Sequence, residues 1–221
     1  MSEVKIRRSQ RFFNSFILTF YDLMLYRCIA QYFWGCKPAR LVKFYSDNLS
    51  GKHLDVGVGS GYLLRHGIKN PKDIDLSLMD LNENCLNKTE QAIYPIQAKT
   101  YQRNILVDIE GIPESYQSIS VNYVMHCVPG SFKEKGIAFK HLKKLLRDDG
   151  ILFGSSVVSK GVKKPCHSAV LMWVFNTIGL FDNSNDSLED LTSVLKQYFK
   201  HVEIVESGPT VLFRVSDHEL R

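Results

Sequence analysis

The spacing of apolar positions changes character near residue 50. Downstream of that point short apolar runs alternate with stretches of helical periodicity, the pattern of an α/β protein with a parallel sheet. Residues 53–58 predict a first strand, followed by a glycine turn and a helix over 60–67. Residues 74–81 predict the second strand, and Asn82 caps a helix reaching about Ala92. A weaker third strand is expected over 96–101. A fourth, rich in β-branched and aromatic residues, is expected over 119–127. Ser131 and Glu134 stand at capping-box spacing and open a helix to Arg147. Asp149-Gly150 closes that helix, and 151–158 is the fifth strand.

The rhythm breaks over 159–185, with a basic loop, an apolar helical run at 168–178 and a polar turn. Asp186 and Glu189 have cap spacing ahead of a helix ending near Phe199. Residues 202–206 and 211–215 flank Gly208-Pro209 and predict an antiparallel hairpin. Upstream, residues 12–34 form an aromatic amphipathic stretch. It contains Asn14, Asp22, Arg27 and Gln31, whereas a membrane-spanning helix needs about 20 nearly uncharged residues. No transmembrane segment is expected, only a weak surface contact with a membrane. The organisation expected is an N-terminal helical cap over 1–45, then one domain over 46–221 with a lid-like insertion at about 159–185.

Composition narrows the class. With 221 residues, 44% of them hydrophobic, the chain can build a core without disulfides or metal. The 28 basic and 23 acidic residues leave a net charge of +5. The basic residues crowd the N-terminus, the helix carrying Lys133, Lys135, Lys140, Lys143, Lys144 and Arg147, and the loop carrying Lys160, Lys163 and Lys164. Solvated faces account for such runs more readily than a nucleic-acid footprint, so no nucleic-acid partner is expected. The five cysteines, Cys28, Cys36, Cys85, Cys127 and Cys166, are odd in number and lack C-x-x-C spacing. They fit reduced thiols in a cytoplasmic protein, and no secretory pattern precedes them. No Asp/Glu/His cluster has metal-ligand spacing, so no metal is expected.

The informative stretch is Leu54-Asp55-Val56-Gly57-Val58-Gly59-Ser60-Gly61, a strand running into a glycine turn that opens a helix. Glycines there let a ligand lie against bare backbone, in space that side chains would fill. Dinucleotide binders use G-x-G-x-x-G, but the last glycine of that pattern is replaced here by Tyr62, and Asp55 stands inside the strand. An apolar strand then ends in Asp80, 19 residues after Gly61. In doubly wound folds that position faces the ribose of an adenosine ligand.

Asp55 through Gly61, followed by Asp80, resembles the S-adenosylmethionine (SAM) site of class I methyltransferases. The resemblance covers about residues 50–216. It is strongest toward the small-molecule enzymes related to the ubiquinone/menaquinone-biosynthesis type, which also carry an aromatic N-terminal helix with a Tyr-Asp pair, here Tyr21-Asp22. It implies a Rossmann-like, mostly parallel seven-stranded sheet with helices on both faces, a C-terminal antiparallel hairpin and an N-terminal helical cap. Gly57, Gly59 and Gly61 would pass the methionine part of SAM, with Asp55 near its amino group. Asp80 would hold the ribose and Leu81 pack on adenine. Asn104-Ile105 stands where many members carry an acid and a small or apolar residue for the adenine amino group. An Asn carbonyl can accept the same hydrogen bond without charge. Met125 and His126, at the end of the fourth strand, would lie beside the sulfonium.

His126 is the best candidate for a catalytic base toward a hydroxyl acceptor, because its ordinary pKa is near neutral. The reading placed ahead of that one has it lining the pocket or bonding to backbone, since proximity and orientation alone can carry methyl transfer. No Asn/Asp-Pro-Pro-aromatic motif of base N-methylation is present, and the one Pro-Cys, Pro165-Cys166, follows the fifth strand. Phe16, Phe20 and Tyr21, with Trp173 and Phe175, would form an aromatic lid over a small, largely apolar or aromatic acceptor. The alternatives are RNA or protein methylation, or a protein that binds SAM without methyl transfer or uses the fold in the manner of a pericyclase.

Overall fold

The computed structural model describes residues 29–112 and 115–220. Phe16, Phe20 and Tyr21 of the expected lid, with the rest of the segment before Ile29, lie outside the described residues. Helix α1 (Pro38–Asn48) leads into β1 (Lys52–Val56). There follow α2 (Tyr62–Gly67), β2 (Asp75–Asp80), α3 (Glu83–Ile93), β3 (Ala98–Gln102) and β4 (Tyr116–Asn122). Two short helices, α4 (Phe132–Lys135) and α5 (Ile137–Lys143), precede β5 (Leu146–Val157). The insertion carries α6 (Cys166–Ile178), after which α7 (Leu188–Tyr198), β6 (His201–Ser207) and β7 (Thr210–Ser216) complete the described chain.

The strands form one seven-stranded sheet in the order β3-β2-β1-β4-β5-β7-β6. The first five run parallel, and β7 is antiparallel to both β5 and β6. The order reverses direction at β1, so a crevice opens between the C-terminal ends of β1 and β4, where such sheets bind ligands. One hydrophobic cluster lies under α1, α2 and α6 and contains Trp34, Leu41, Tyr45, Leu64, Leu76 and Phe153. The other lies under α4, α5 and α7 and contains Leu54, Val56, Phe139, Leu191 and Phe213. Helix α1 spans the boundary expected at 45 and buries Leu41 and Tyr45 in the first cluster.

Four local expectations are corrected. The fourth strand ends at Asn122, because Tyr123 takes φ 55° and turns the chain into a single 3₁₀ turn at Met125–Cys127. The helix expected to reach Arg147 stops at Lys143 and is broken at Gly136. A Cβ at Gly136 would lie 2.4 Å from both Phe132 O and Val194 Cγ2, so only glycine lets α7 approach there. Strand β5 starts early, at Leu146, since Leu146 pairs with Tyr116 and a register shift absorbs the intervening residues before Ile151 meets Ser118. The cap of α7 is Ser187, whose side chain accepts from Asp190 N–H, and not Asp186. Asp186 is fully buried instead, 2.7 Å from Lys135 Nζ.

Among the described residues no helix is long and apolar enough to cross a membrane.

Candidate active site

The turn after β1 is built from three glycines in left-handed conformations, at φ 70°, 56° and 76° for Gly57, Gly59 and Gly61. They serve different ends. A Cβ on Gly57 would sit 2.1 Å from Val124 Cγ2, and one on Gly61 would press on Thr89 at 3.1 Å. A Cβ on Gly59 would meet nothing within 4 Å among the described residues. Two glycines are therefore fixed by packing inside the protein. Among the described residues Gly59 alone of the three has open space beside it, where a ligand can lie on the backbone.

Asp80 stands across this turn at the end of β2. Its Oδ1 accepts from Asn82 N–H at 2.8 Å, and the backbone N–H groups of Val58 and Gly59 also point at the carboxyl. Burial raises its pKa to about 6 against the pull of these donors. A carboxyl group beside a glycine turn suits paired ribose hydroxyls. Leu81 follows it half-buried, and Gln102 Nε2 donates to Leu81 O at 3.1 Å, fixing the rim of β2 to that of β3.

Asp55 is placed differently from the expectation that it approaches the cofactor's amino group. Its carboxyl is buried under α1, where Ser120 Oγ donates to Oδ1 and Tyr45 Oη to Oδ2. Burial pushes its pKa up to about 7. His53 lies on the same face of β1, with Nδ1 2.7 Å from Ser118 Oγ and Nε2 3.1 Å from Tyr45 Oη and from Ser120 Oγ. Burial pushes His53 down to about 3, so it is neutral. Strand pairing creates this network, because His53 sits opposite Ser118 and Asp55 opposite Ser120. The available signal was His53-Leu54-Asp55-Val56 itself, an alternating strand with a polar face that is nonetheless buried.

The adenine-side residues also divide. Asn104 Oδ1 accepts from Leu106 N–H at 3.0 Å, leaving its second lone pair for another donor. Ile105 is 8% exposed and packs in the core, with its carbonyl 2.8 Å from His141 Nδ1. Met125 is fully buried in the same cluster. Ile105 and Met125 thus support the crevice from beneath.

His126 does not have the setting of a general base. Its Nδ1 accepts a hydrogen bond from Val157 N–H at 3.3 Å, and its ring lies 4.3 Å from that of Phe181. Burial, with the Lys135 ammonium nearby, pushes its pKa down to about 3. A base for neutral pH needs the reverse.

Of the lid residues in α6, Trp173 is 67% exposed, while Phe175 packs against Trp34 at 6.1 Å and Phe181 at 5.1 Å. Trp34 and Phe181 complete an aromatic wall that continues to His126 and Tyr123. The loop from Asp182 to Asp186 is locked to the end of β4 by one cation. Lys135 Nζ, with no exposed surface, donates to Val128 O, Asp182 O and Asp186 Oδ2 at 3.2, 3.1 and 2.7 Å. The basic run had hidden an inward-pointing lysine. Its exposed members Lys133, Lys144 and Arg147 pair with Asp190, Asp108 and Asp149.

No protein-family model matches the chain. Over 93% of its length it is 35% identical to methyltransferase aurB of Calcarisporium arbuscula, covering 95% of that protein. Over 89% it is 36% identical to the demethylluteothin O-methyltransferase of Streptomyces thioluteus, covering 86% of it. Among solved structures, the complex of DhpI with S-adenosylhomocysteine superposes with a TM-score of 0.68 at 13% identity, over 99% of this chain and 100% of the other.

Proposed function

The chain belongs to the class I SAM-dependent methyltransferases of small molecules, and on that premise we propose that it methylates a small, largely apolar or aromatic acceptor, at oxygen. Its cofactor is SAM, which when bound supplies an activated methyl group on a cationic sulfur. The residues present fit that cofactor: Gly59 offers open backbone, Asp80 a carboxyl for the ribose and Leu81 an apolar surface for the base. Oxygen is favoured by the likeness to an O-methyltransferase of demethylluteothin. The observation that carries the acceptor class is the wall of Trp34, Phe175, Phe181 and His126 beside the end of β4. Apolar walls with a few polar groups recognise compact aromatic or polyene molecules.

The chain's own contribution is orientation and exclusion of water. The Lys135–Asp186 pair holds the 182–186 loop against the β4 turn, and Asp182 N–H donates to His126 O at 2.9 Å. Proximity of this kind lowers the barrier without a proton-transfer group. The free thiols of Cys36, Cys85, Cys127 and Cys166 support a cytoplasmic location.

Calorimetry tests the cofactor assignment: SAM and S-adenosylhomocysteine should bind in the micromolar range, roughly −8 kcal/mol, with no competition from NADH. Incubation with SAM and a panel of phenols, enols and amines should release S-adenosylhomocysteine only with the aromatic or conjugated hydroxyl acceptors. Transfer to RNA or protein in place of these would overturn the acceptor class.

A further inference from the structure

Helix α6 is apolar on both of its faces, and its 13 residues include no Asp, Glu, Lys or Arg. The inner face is fixed to the body of the protein. Ser168 Oγ donates to Phe33 O at 2.6 Å, Met172 is buried, and Asn176 exchanges hydrogen bonds with Asn183 at 2.8 and 3.0 Å. The outer face carries Val170, Trp173 and Ile178, which are 62%, 67% and 39% exposed. With Val174 they form one stripe at spacings of three and four residues. Tyr32, 65% exposed, is tied to the first turn of the helix, its carbonyl 2.9 Å from His167 Nε2. Among the described residues seven large apolar side chains stand exposed, and four of them are gathered on or beside this one helix. A helix that is apolar all round is normally buried, and a contiguous apolar patch on a surface marks a contact.

Charge says what that contact is. From Gly150 to Phe181 the chain has no acidic residue, and Lys160, Lys163 and Lys164 stand in the loop just ahead of α6. Among the described residues none of the three meets a carboxylate. Lys160 Nζ donates to Asn185 Oδ1 and Lys164 Nζ to Ser159 O. Lys133, Lys144 and Arg147 each have an acid beside them, so this loop differs from the rest of the basic surface. Its charge attracts an anionic partner. The chain's own first 28 residues are a poor match, since they carry Lys5, Arg7, Arg8, Arg11 and Arg27 against Glu3 and Asp22. A nucleic acid would stack its bases on aromatic faces, whereas Val170 and Ile178 are aliphatic. Acyl chains beneath anionic headgroups match both features, with Trp and Tyr at the depth they favour.

We propose that α6 lays its outer face, Val170, Trp173 and Ile178, into the surface of an anionic lipid bilayer, with Lys160, Lys163 and Lys164 on the headgroups. The contact centres on the insertion, whereas the sequence pattern suggested the stretch over 12–34. The inference does not depend on which acceptor the protein methylates. It does put α6 between the bilayer and the aromatic wall, because Phe175 on the inner side of the same helix packs on Trp34 and Phe181.

The test uses the full chain with vesicles of phosphatidylcholine, alone or with one quarter phosphatidylserine. The chain has two tryptophans, and Trp34 is 1% exposed, so a change in fluorescence on binding reports Trp173. Vesicles containing phosphatidylserine should shift the emission to the blue, and brominated acyl chains should quench it. Pure phosphatidylcholine should bind far more weakly, and high salt should release the protein. Lys163→Glu should weaken binding by at least about fivefold, the effect of one cation at such a surface. Trp173→Ser, read by vesicle sedimentation, should weaken it by at least about tenfold through the lost apolar area. Both positions are exposed, and thermal melts check that the variants fold. Absence of binding to the anionic vesicles would overturn the inference. So would binding that survives both substitutions, which would belong to the basic N-terminus. A Trp173 already shielded from acrylamide without lipid, or a dimer in solution that Trp173→Ser dissolves, would assign the face to the N-terminal segment or to a second copy and overturn it as well.

Discussion

Val124 fills the space beside Gly57: an added Cβ there would lie 2.1 Å from Val124 Cγ2. The first glycine of the turn is thus required by the chain leaving β4, and of the three only Gly59 has open space beside it among the described residues. Gly57→Ala should therefore destabilise the fold through overpacking, typically about 1–3 kcal/mol, with Val124→Ala restoring part of the loss. Gly59→Val should cost only the strain of a left-handed side chain, ~1–2 kcal/mol, but abolish SAM binding. Denaturant melts and calorimetry on the three variants separate the two outcomes. Equal effects on stability from Gly57 and Gly59 would contradict the difference in packing.

Asp80→Asn should leave the fold intact and weaken SAM by about 1.5–3 kcal/mol, the range for hydrogen bonds to a charged group. Burial raises the carboxyl to about pH 6, so in the wild type it protonates below that point. SAM affinity should fall as pH drops from 7 to 5, and in Asp80→Asn this fall should disappear. A titration by calorimetry in which both proteins follow the same pH curve would remove Asp80 from the site.

Asp55 makes stability depend on pH in a definite direction. Its folded pKa is about 7, against 3.8 for the unreacted side chain. Between these values the folded state holds the proton more tightly than the unfolded state. The contribution is complete below about pH 4 and is lost as pH rises through 7. Asp55→Asn, which cannot ionise, should gain stability relative to wild type as pH goes from 4 to 8. Urea midpoints for the two proteins that stay parallel across this range would show that the carboxyl is not buried as described.

Removing one partner of the Lys135–Asp186 pair leaves a charge with no exposed surface. Lys135→Met should cost about 3–5 kcal/mol, and the double change Lys135→Met with Asp186→Leu markedly less. A double variant as unstable as the sum of the singles would mean that the pair does not act as a unit.

The parts of this molecule that were legible in the sequence are those whose cause is local. The glycine turn, the acid closing β2, the Asn82 cap and the hairpin around Gly208-Pro209 each need only a few consecutive residues. What stayed hidden depends on register or on distant packing. Asp55 looked like a ligand-facing acid because nothing local reveals that Ser120 pairs with it across β4. Lys135 looked solvated because its neighbours in the basic run are, although it stands one helical turn from the buried Phe132. For His126 the sequence offered both a base and a ring bonded to backbone, and the donor that occupies its Nδ1 is a backbone N–H, which has no residue type to signal it. Gly136 and Gly150 broke the expected helix and strand limits through close approaches to Val194 and Tyr116 that no periodicity records.

The placement of β7 has a consequence for how the protein is made. In the sheet β7 lies between β5 and β6, yet of the described strands it leaves the ribosome after the other six. Until it emerges, β5 from Ile151 to Val157 has an unpaired edge, rich in apolar residues and able to template pairing with another nascent chain. Thr210 also donates, through both N–H and Oγ1, to Trp34 O, so the aromatic wall cannot settle before the hairpin docks. One late step therefore both seals the sheet and seats the wall. The interval before it is when the chain has most need of a chaperone.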